Sequence, residues 1–223
     1  MIAWFVWKNT RSDAMGLWVS KLPPIVRPVE RSENIIIPGR AGSLTLLEGE
    51  DIYDPYLKEC RIGCKRNMDI QNVLNWLRGS GTVVFGNEPH KAYKASILSE
   101  IRFQRISNDM QEAVVPFFVE PFKRSLHPEE DTVTITTSGS IYNPGDVASR
   151  PIVTMSGGSS VTIAGNTMTI GGSGTVKVDC EAEIVTQSGQ LFTGSVTGAF
   201  FKIPVGSSQV TGSCEIEPNW RWI

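Results

Sequence analysis

The chain of 223 residues holds only two histidines, His90 and His127, each beside a proline in a polar stretch. That scarcity removes the commonest general base and metal ligand from most of the sequence. Neither H-E-x-x-H nor G-x-S-x-G occurs, and the four cysteines lack the close pairs of a zinc site. No catalytic set, metal site or cofactor is therefore expected. No run approaches the roughly 20 apolar residues of a membrane helix. The opening MIAWFVW lacks a basic leader and a cleavage site, so a strand is expected there and not a signal peptide.

In an extended KECRIGC, Cys60 and Cys64 share a face but lie ~13 Å apart at about 3.3 Å per residue, beyond disulfide reach. Cys180 and Cys214 have room to meet across strands, but buried free thiols and a reducing cytoplasm are the simpler expectation.

Positive charge is also sparse. The formal net charge is −2, and from Thr132 onward the only lysines and arginines are Arg150, Lys177, Lys202 and Arg221. A nucleic-acid grip needs a basic stripe, and none is present. The same point marks a shift toward Ser, Thr and Gly, preceded by the polar KRSLHPEED. Two domains are expected, 1–131 and 132–223.

What is present is mostly strand pattern. IAWFVW and LWVSKL precede the Pro23-Pro24 pair, and ENIIIPGRAGSL places an apolar run before a turn with two glycines. The segment Asp69–Phe122 contains the one helical signal: Ile70, Val73, Leu74 and Leu77 at i, i+3, i+4, i+7 behind an Asp69 N-cap. Gly79 and Gly81 end it, TVVF begins a strand, and Asn87-Glu88-Pro89 forms a turn before AYKASILSEIRF and EAVVPFFVEPF.

Beyond Thr132 the pattern is all β. VTIAGNTMTI is the clearest hairpin, with Gly165-Asn166 as the expected loop, Ile163 opposite Met168 and Thr162 opposite Thr169. The tail PNWRWI puts Trp220 and Trp222 on one face, expected to pack on their own domain.

Charge clusters are few. Glu48, Glu50, Asp51 and Asp54 lie in one acidic stretch that lacks calcium-loop spacing. Lys58, Arg61, Lys65 and Arg66 form a basic segment just after it. Placed on opposite sides of a subunit, such patches suit heterologous contacts.

IIIPGRAGSL, the helix QNVLNWLRGSG leading into TVVFGNEPHKAYKA, then ILSEIRF and VVPFFVEPF, occur in an order that resembles the distal tail proteins of siphovirus-type phages and prophages. IYNPGDVASRPIVTMSG, VTIAGNTMTI with VKVDCEAEIV, and the closing FFKIPVGSSQVTGSCEIEPNWRWI resemble that family's C-terminal half. The resemblance implies a mainly β fold: an N-terminal β-sandwich with one helix and a hairpin, then a galectin-like C-terminal β-sandwich. It implies a structural, non-catalytic ring, a hexamer, joining the tail tube protein to the tail tip or baseplate hub protein. Receptor-binding proteins are implied as further partners in some members, and the virion tail, assembled in the bacterial cytoplasm, as the location. A carbohydrate-binding module and a tail tube protein are the alternative readings.

Overall fold

The computed structural model describes residues 3–223. The fold is mainly β, with one helix among the described residues. The chain forms two compact units, Met1–Lys123 with Ile223, and Arg124–Trp222. This division falls earlier than the break after residue 131 expected from composition.

In the first unit the strands are β1 (Phe5–Trp7), β2 (Thr10–Arg11), β3 (Trp18–Lys21), β4 (Ser32–Ile36), β5 (Ser43–Leu47) and β6 (Tyr56–Lys65). Helix α1 (Ile70–Trp76) follows, then β7 (Gly79–Phe85), β8 (Lys91–Ile97), β9 (Gln104–Arg105) and β10 (Met110–Ser125). Eight strands build one sheet in the order β2-β1-β7-β8-β10-β6-β3, with β9 on β10; β4 and β5 pair only with each other. The expected opening strand begins at Phe5, and Ile2 lies outside the described residues.

Period-two alternation fills the core. Phe5 and Trp7 of β1, Cys60, Ile62 and Cys64 of β6, Val83 and Phe85 of β7, and Val115, Phe117 and Val119 of β10 are all fully buried. Phe117 sits at the centre, edge-on to Phe5, Trp7 and Phe85 with ring centroids 5.5 Å away in each case.

The helix starts as expected: the Asp69 carboxylate accepts from the Asn72 amide at 3.2 Å. Val73 and Leu77 are buried, whereas Ile70 and Leu74 are half-buried. Trp76 carries more of the contact than its position outside the apolar stripe suggested. Its ring stacks on Phe5 at 5.7 Å, and the Trp7 and Trp76 indoles each donate to the other's backbone carbonyl, at 3.0 and 3.3 Å.

The second unit is a β-sandwich. Its strands are β11 (Val133–Ile135), β12 (Ser138–Asn143), β13 (Ile152–Ser156), β14 (Ser159–Ile163), β15 (Asn166–Ile170) and β16 (Thr175–Asp179). Then come β17 (Ile184–Gln187), β18 (Gln190–Leu191), β19 (Val196–Thr197), β20 (Gly206–Thr211) and β21 (Cys214–Glu217). One sheet runs β11-β21-β13-β16-β17-β18 and the other β12-β20-β14-β15-β19. Their inner faces share one core that includes Val161, Met168, Val178 and Ile216, with Trp220 buried in it and Trp222 packed against it. All four cysteines are buried and free.

The β14–β15 hairpin forms two places from the expected register. Its loop is Ala164-Gly165, with φ of +50° and +82°, the pair of left-handed residues that a tight two-residue hairpin requires. Thr162 therefore faces Thr167, and Val161 faces Met168. A shift of two keeps every side chain on its face, so alternation alone does not distinguish the registers.

Phe117→Ala is expected to destabilise the first unit by about 3–5 kcal/mol. A drop in urea midpoint at constant slope measures it; a midpoint within error of the parent contradicts the central place given to Phe117.

Candidate assembly surface

The β4–β5 arm differs from every other part of the first unit. Glu33 pairs with Leu46, Asn34 with Thr45 and Ile35 with Leu44, yet every residue of both strands is exposed. Ile36 is 80% exposed and Leu47 59%. Side chains directly opposite share a face, so Ile35, Leu44 and Leu46 line one side of the hairpin beside Glu33, and Ile36 and Leu47 lie on the other. A lone two-stranded hairpin is marginal in water, and uncovered apolar side chains of this kind mark a contact surface.

The arm is tied down at its base. Arg31 and Asp54 donate backbone N–H groups to Ile52 and Val29, both at 2.9 Å, and the Glu48 amide donates to the Arg31 carbonyl at 3.2 Å. The Arg31 guanidinium lies 2.8 Å from Asp54 and 3.6 Å from Glu48. These carboxylates, Asp54 first, hold its pKa above the ordinary value. Tyr53, buried, meets the Phe122 ring edge-on at 5.7 Å.

The charged residues singled out from sequence thus separate. Glu48 and Asp54 fold back on Arg31, Glu50 is exposed, and Asp51 adopts a left-handed φ of +58°. Arg61 is exposed and 3.8 Å from Glu112. Lys65 and Arg66 are exposed beside a shallow depression with Trp18, Asn67, Asn108 and Asp109. Lys58 does not belong to a basic surface at all. It is 1% exposed, because it stands in the inward register of β6 with Cys60, Ile62 and Cys64.

Lys58 enters a buried ionic cluster that the sequence reading missed. Its Nζ donates to the Pro24 carbonyl at 3.0 Å and lies 3.4 Å from Glu88 Oε2. Lys123 Nζ lies 3.1 Å from the other Glu88 oxygen, and Tyr93 donates its hydroxyl to Glu88 at 2.5 Å. The Tyr93 ring also lies 4.7 Å from Lys58 Nζ, close enough for a cation–π contact. Next to Glu88, the Asn87 amide donates to the Pro23 carbonyl at 2.9 Å.

Burial pushes the Glu88 carboxyl up, but donation from Tyr93 and Lys123 and the charges of both lysines outweigh it and hold the carboxyl below its ordinary 4.5. For Lys58 burial wins: its pKa is lowered despite Glu88. Burial likewise raises the Tyr56 hydroxyl to about 12.

Among the described residues no three His, Cys, Asp or Glu side chains group as a metal site, and no helix is long and apolar enough to cross a membrane. Both histidines are exposed.

No family model and no curated protein matches the chain. Solved structures do match. The Dit protein of phage SPP1, described as a paradigm of the hub adsorption apparatus in phages infecting Gram-positive bacteria, aligns with a TM-score of 0.70 at 13% identity. The alignment covers 97% of each chain. The fold is Dit-like. The β-rich architecture with one helix, expected from the sequence resemblance, is the one observed.

Removing one partner of a buried ion pair costs about 3–5 kcal/mol, and Glu88→Gln is expected to lower stability by that order at pH 7. A depressed carboxyl pKa contributes stability that is complete above the ordinary value of 4.5 and is lost as pH falls through the folded value. The gap between parent and Glu88→Gln should therefore narrow below about pH 4.5 in urea titrations run as a pH series. A gap independent of pH contradicts this role for Glu88.

Proposed function

We propose that the chain is a structural, non-catalytic component of a phage tail, forming a ring hub between the tail tube and the tail tip. The observation that carries this reading is the exposed apolar arm on a Dit-like fold. A ring built by heterologous contacts requires two different patches on each subunit. The arm is one. A second is the exposed cross-strand pair Leu57 and Phe118 on β6 and β10, 51% and 48% exposed. In this reading the arm of each copy covers apolar surface of the next, and the ring is a hexamer.

The charged residues take a secondary part. With Lys58 buried and Glu48 and Asp54 held by Arg31, the electrostatic contribution narrows to Glu50 and Asp51 on one side and Arg61, Lys65 and Arg66 on the other. Their part is orientation, since exposed ion pairs add little affinity. The tail tube protein and a tail tip protein are the expected neighbours along the axis, with receptor-binding proteins at the periphery. The virion tail, assembled in the bacterial cytoplasm, is the expected location.

Negative-stain microscopy and light scattering of the purified chain test the proposal. Discrete six-fold rings are expected, with Leu46→Asp and Phe118→Asp each shifting the population to monomer while leaving the far-UV spectrum unchanged. Lys65→Glu with Arg66→Glu should weaken rings several-fold, most at low salt. Long tubes would assign the chain to the tube itself, and a monomer at all concentrations would sink the hub.

A further inference from the structure

The segment that leads from β3 to the arm has little main-chain hold of its own. Pro23, Pro24 and Pro28 have no N–H to donate. Between residues 23 and 28 no backbone-to-backbone hydrogen bond forms among the described residues. Two side chains reach its carbonyls instead. Asn87 donates to Pro23 at 2.9 Å, and Lys58 donates to Pro24 at 3.0 Å. Asn87 and Glu88 are neighbours in the turn after β7, and Lys58 lies 3.4 Å from Glu88. The root of the arm thus depends on one turn and one carboxylate.

We infer that this arrangement is an acid-sensitive latch: ionised Glu88 fastens the arm root to the sheet, and its protonation frees the root while the sheet stays folded. The groups that face Glu88 are Lys58 and Tyr56 from β6, Tyr93 from β8 and Lys123 from the end of β10. His90, in the same turn, is exposed. The site therefore holds two cations against one anion.

When Glu88 takes a proton, both lysines keep their charge in a buried site that has lost its anion, which is costly. Strands β6 and β10 resist parting, because their ladder is continuous from Lys65↔Met110 to Tyr56↔Val119. The root has no ladder and yields first, as weakly bonded segments do. The Glu88 carboxyl lies below its ordinary 4.5. Its anion is therefore present throughout the neutral range and is lost as pH falls through that lowered value. The latch is closed near neutrality and opens in acid. It rests on the cluster and the root alone, whether or not the chain forms rings.

The test is time-resolved fluorescence anisotropy of the full chain labelled at Ile25→Cys, a position 62% exposed; all four native thiols are buried. At neutral pH the label should turn with the whole chain. As pH falls below about 4.5 it should gain nanosecond segmental motion, with its correlation time shortened several-fold and the far-UV spectrum unchanged. A second label, at Thr82→Cys on β7, should keep its slow decay. Glu88→Gln should free the Ile25 label at neutral pH and abolish the acid step. Asn87→Ala, which leaves every charge in place, should loosen the root at neutral pH even if Glu88→Gln fails to fold. Asp54→Asn should keep the acid step, since Asp54 pairs with Arg31 at the arm base. A root that stays rigid until the far-UV signal is lost would overturn the latch. So would an acid step that survives in folded Glu88→Gln, one that vanishes in Asp54→Asn, or equal loosening of the Thr82 label.

Discussion

One buried carboxylate holds together three separate parts of the first unit. Glu88, in the turn between β7 and β8, receives Lys58 from β6, Lys123 from the end of β10, and the Tyr93 hydroxyl. Lys58 also reaches the Pro24 carbonyl, which lies on the segment leading out to the arm. The two depressed pKa values show where the cost falls. Glu88 is well supported as an anion, and the desolvation burden rests on Lys58. A buried ion pair is seldom more stabilising than apolar side chains of equal volume. What it adds here is direction, because each donor must meet its own acceptor and an apolar filler would not hold the Pro24 carbonyl.

That placement matters because the arm has little to hold it otherwise. Its two strands pair only with each other, and its apolar residues have no cover within the described residues of the first unit. Strength is concentrated at the base, in the Arg31 ion pairs, the backbone bonds of Val29, Arg31 and Ile52, and the Tyr53–Phe122 contact. A hairpin anchored firmly at one end and left apolar at the other is built to be completed by something else. The buried cluster and the exposed arm are in this sense two ends of one device.

The features visible in the sequence were those that depend on local period. The Asp69 cap and the Val73 and Leu77 face could be seen because neighbours in sequence decide them. Register was not visible in the β14–β15 hairpin. A two-place shift preserves every face, and the backbone at Ala164 and Gly165, not side-chain sorting, selects the pairing. Lys58 was misplaced because charge was weighed ahead of position. Its even spacing from Cys60, Ile62 and Cys64 was an available signal that it points inward. Glu88 gave no such signal, since Asn-Glu-Pro is an ordinary turn and its partners lie 30 and 35 residues away. The exposure of ENIII and SLTLL was hidden for a related reason. Apolar residues in a strand pattern imply burial, and only the tertiary arrangement reveals that the burial is missing.

The exposed surfaces of the two units make different physical demands on whatever meets them. Burial of apolar area, non-directional and roughly proportional to that area, is what the arm offers. Such a surface favours a lasting contact, since separating it would re-expose Ile35, Leu44 and Leu46. The five-stranded sheet of the second unit turns Ser160, Thr162, Thr167 and Thr169 outward, hydroxyls that water satisfies almost as well as a partner would, so each contributes little net energy to association.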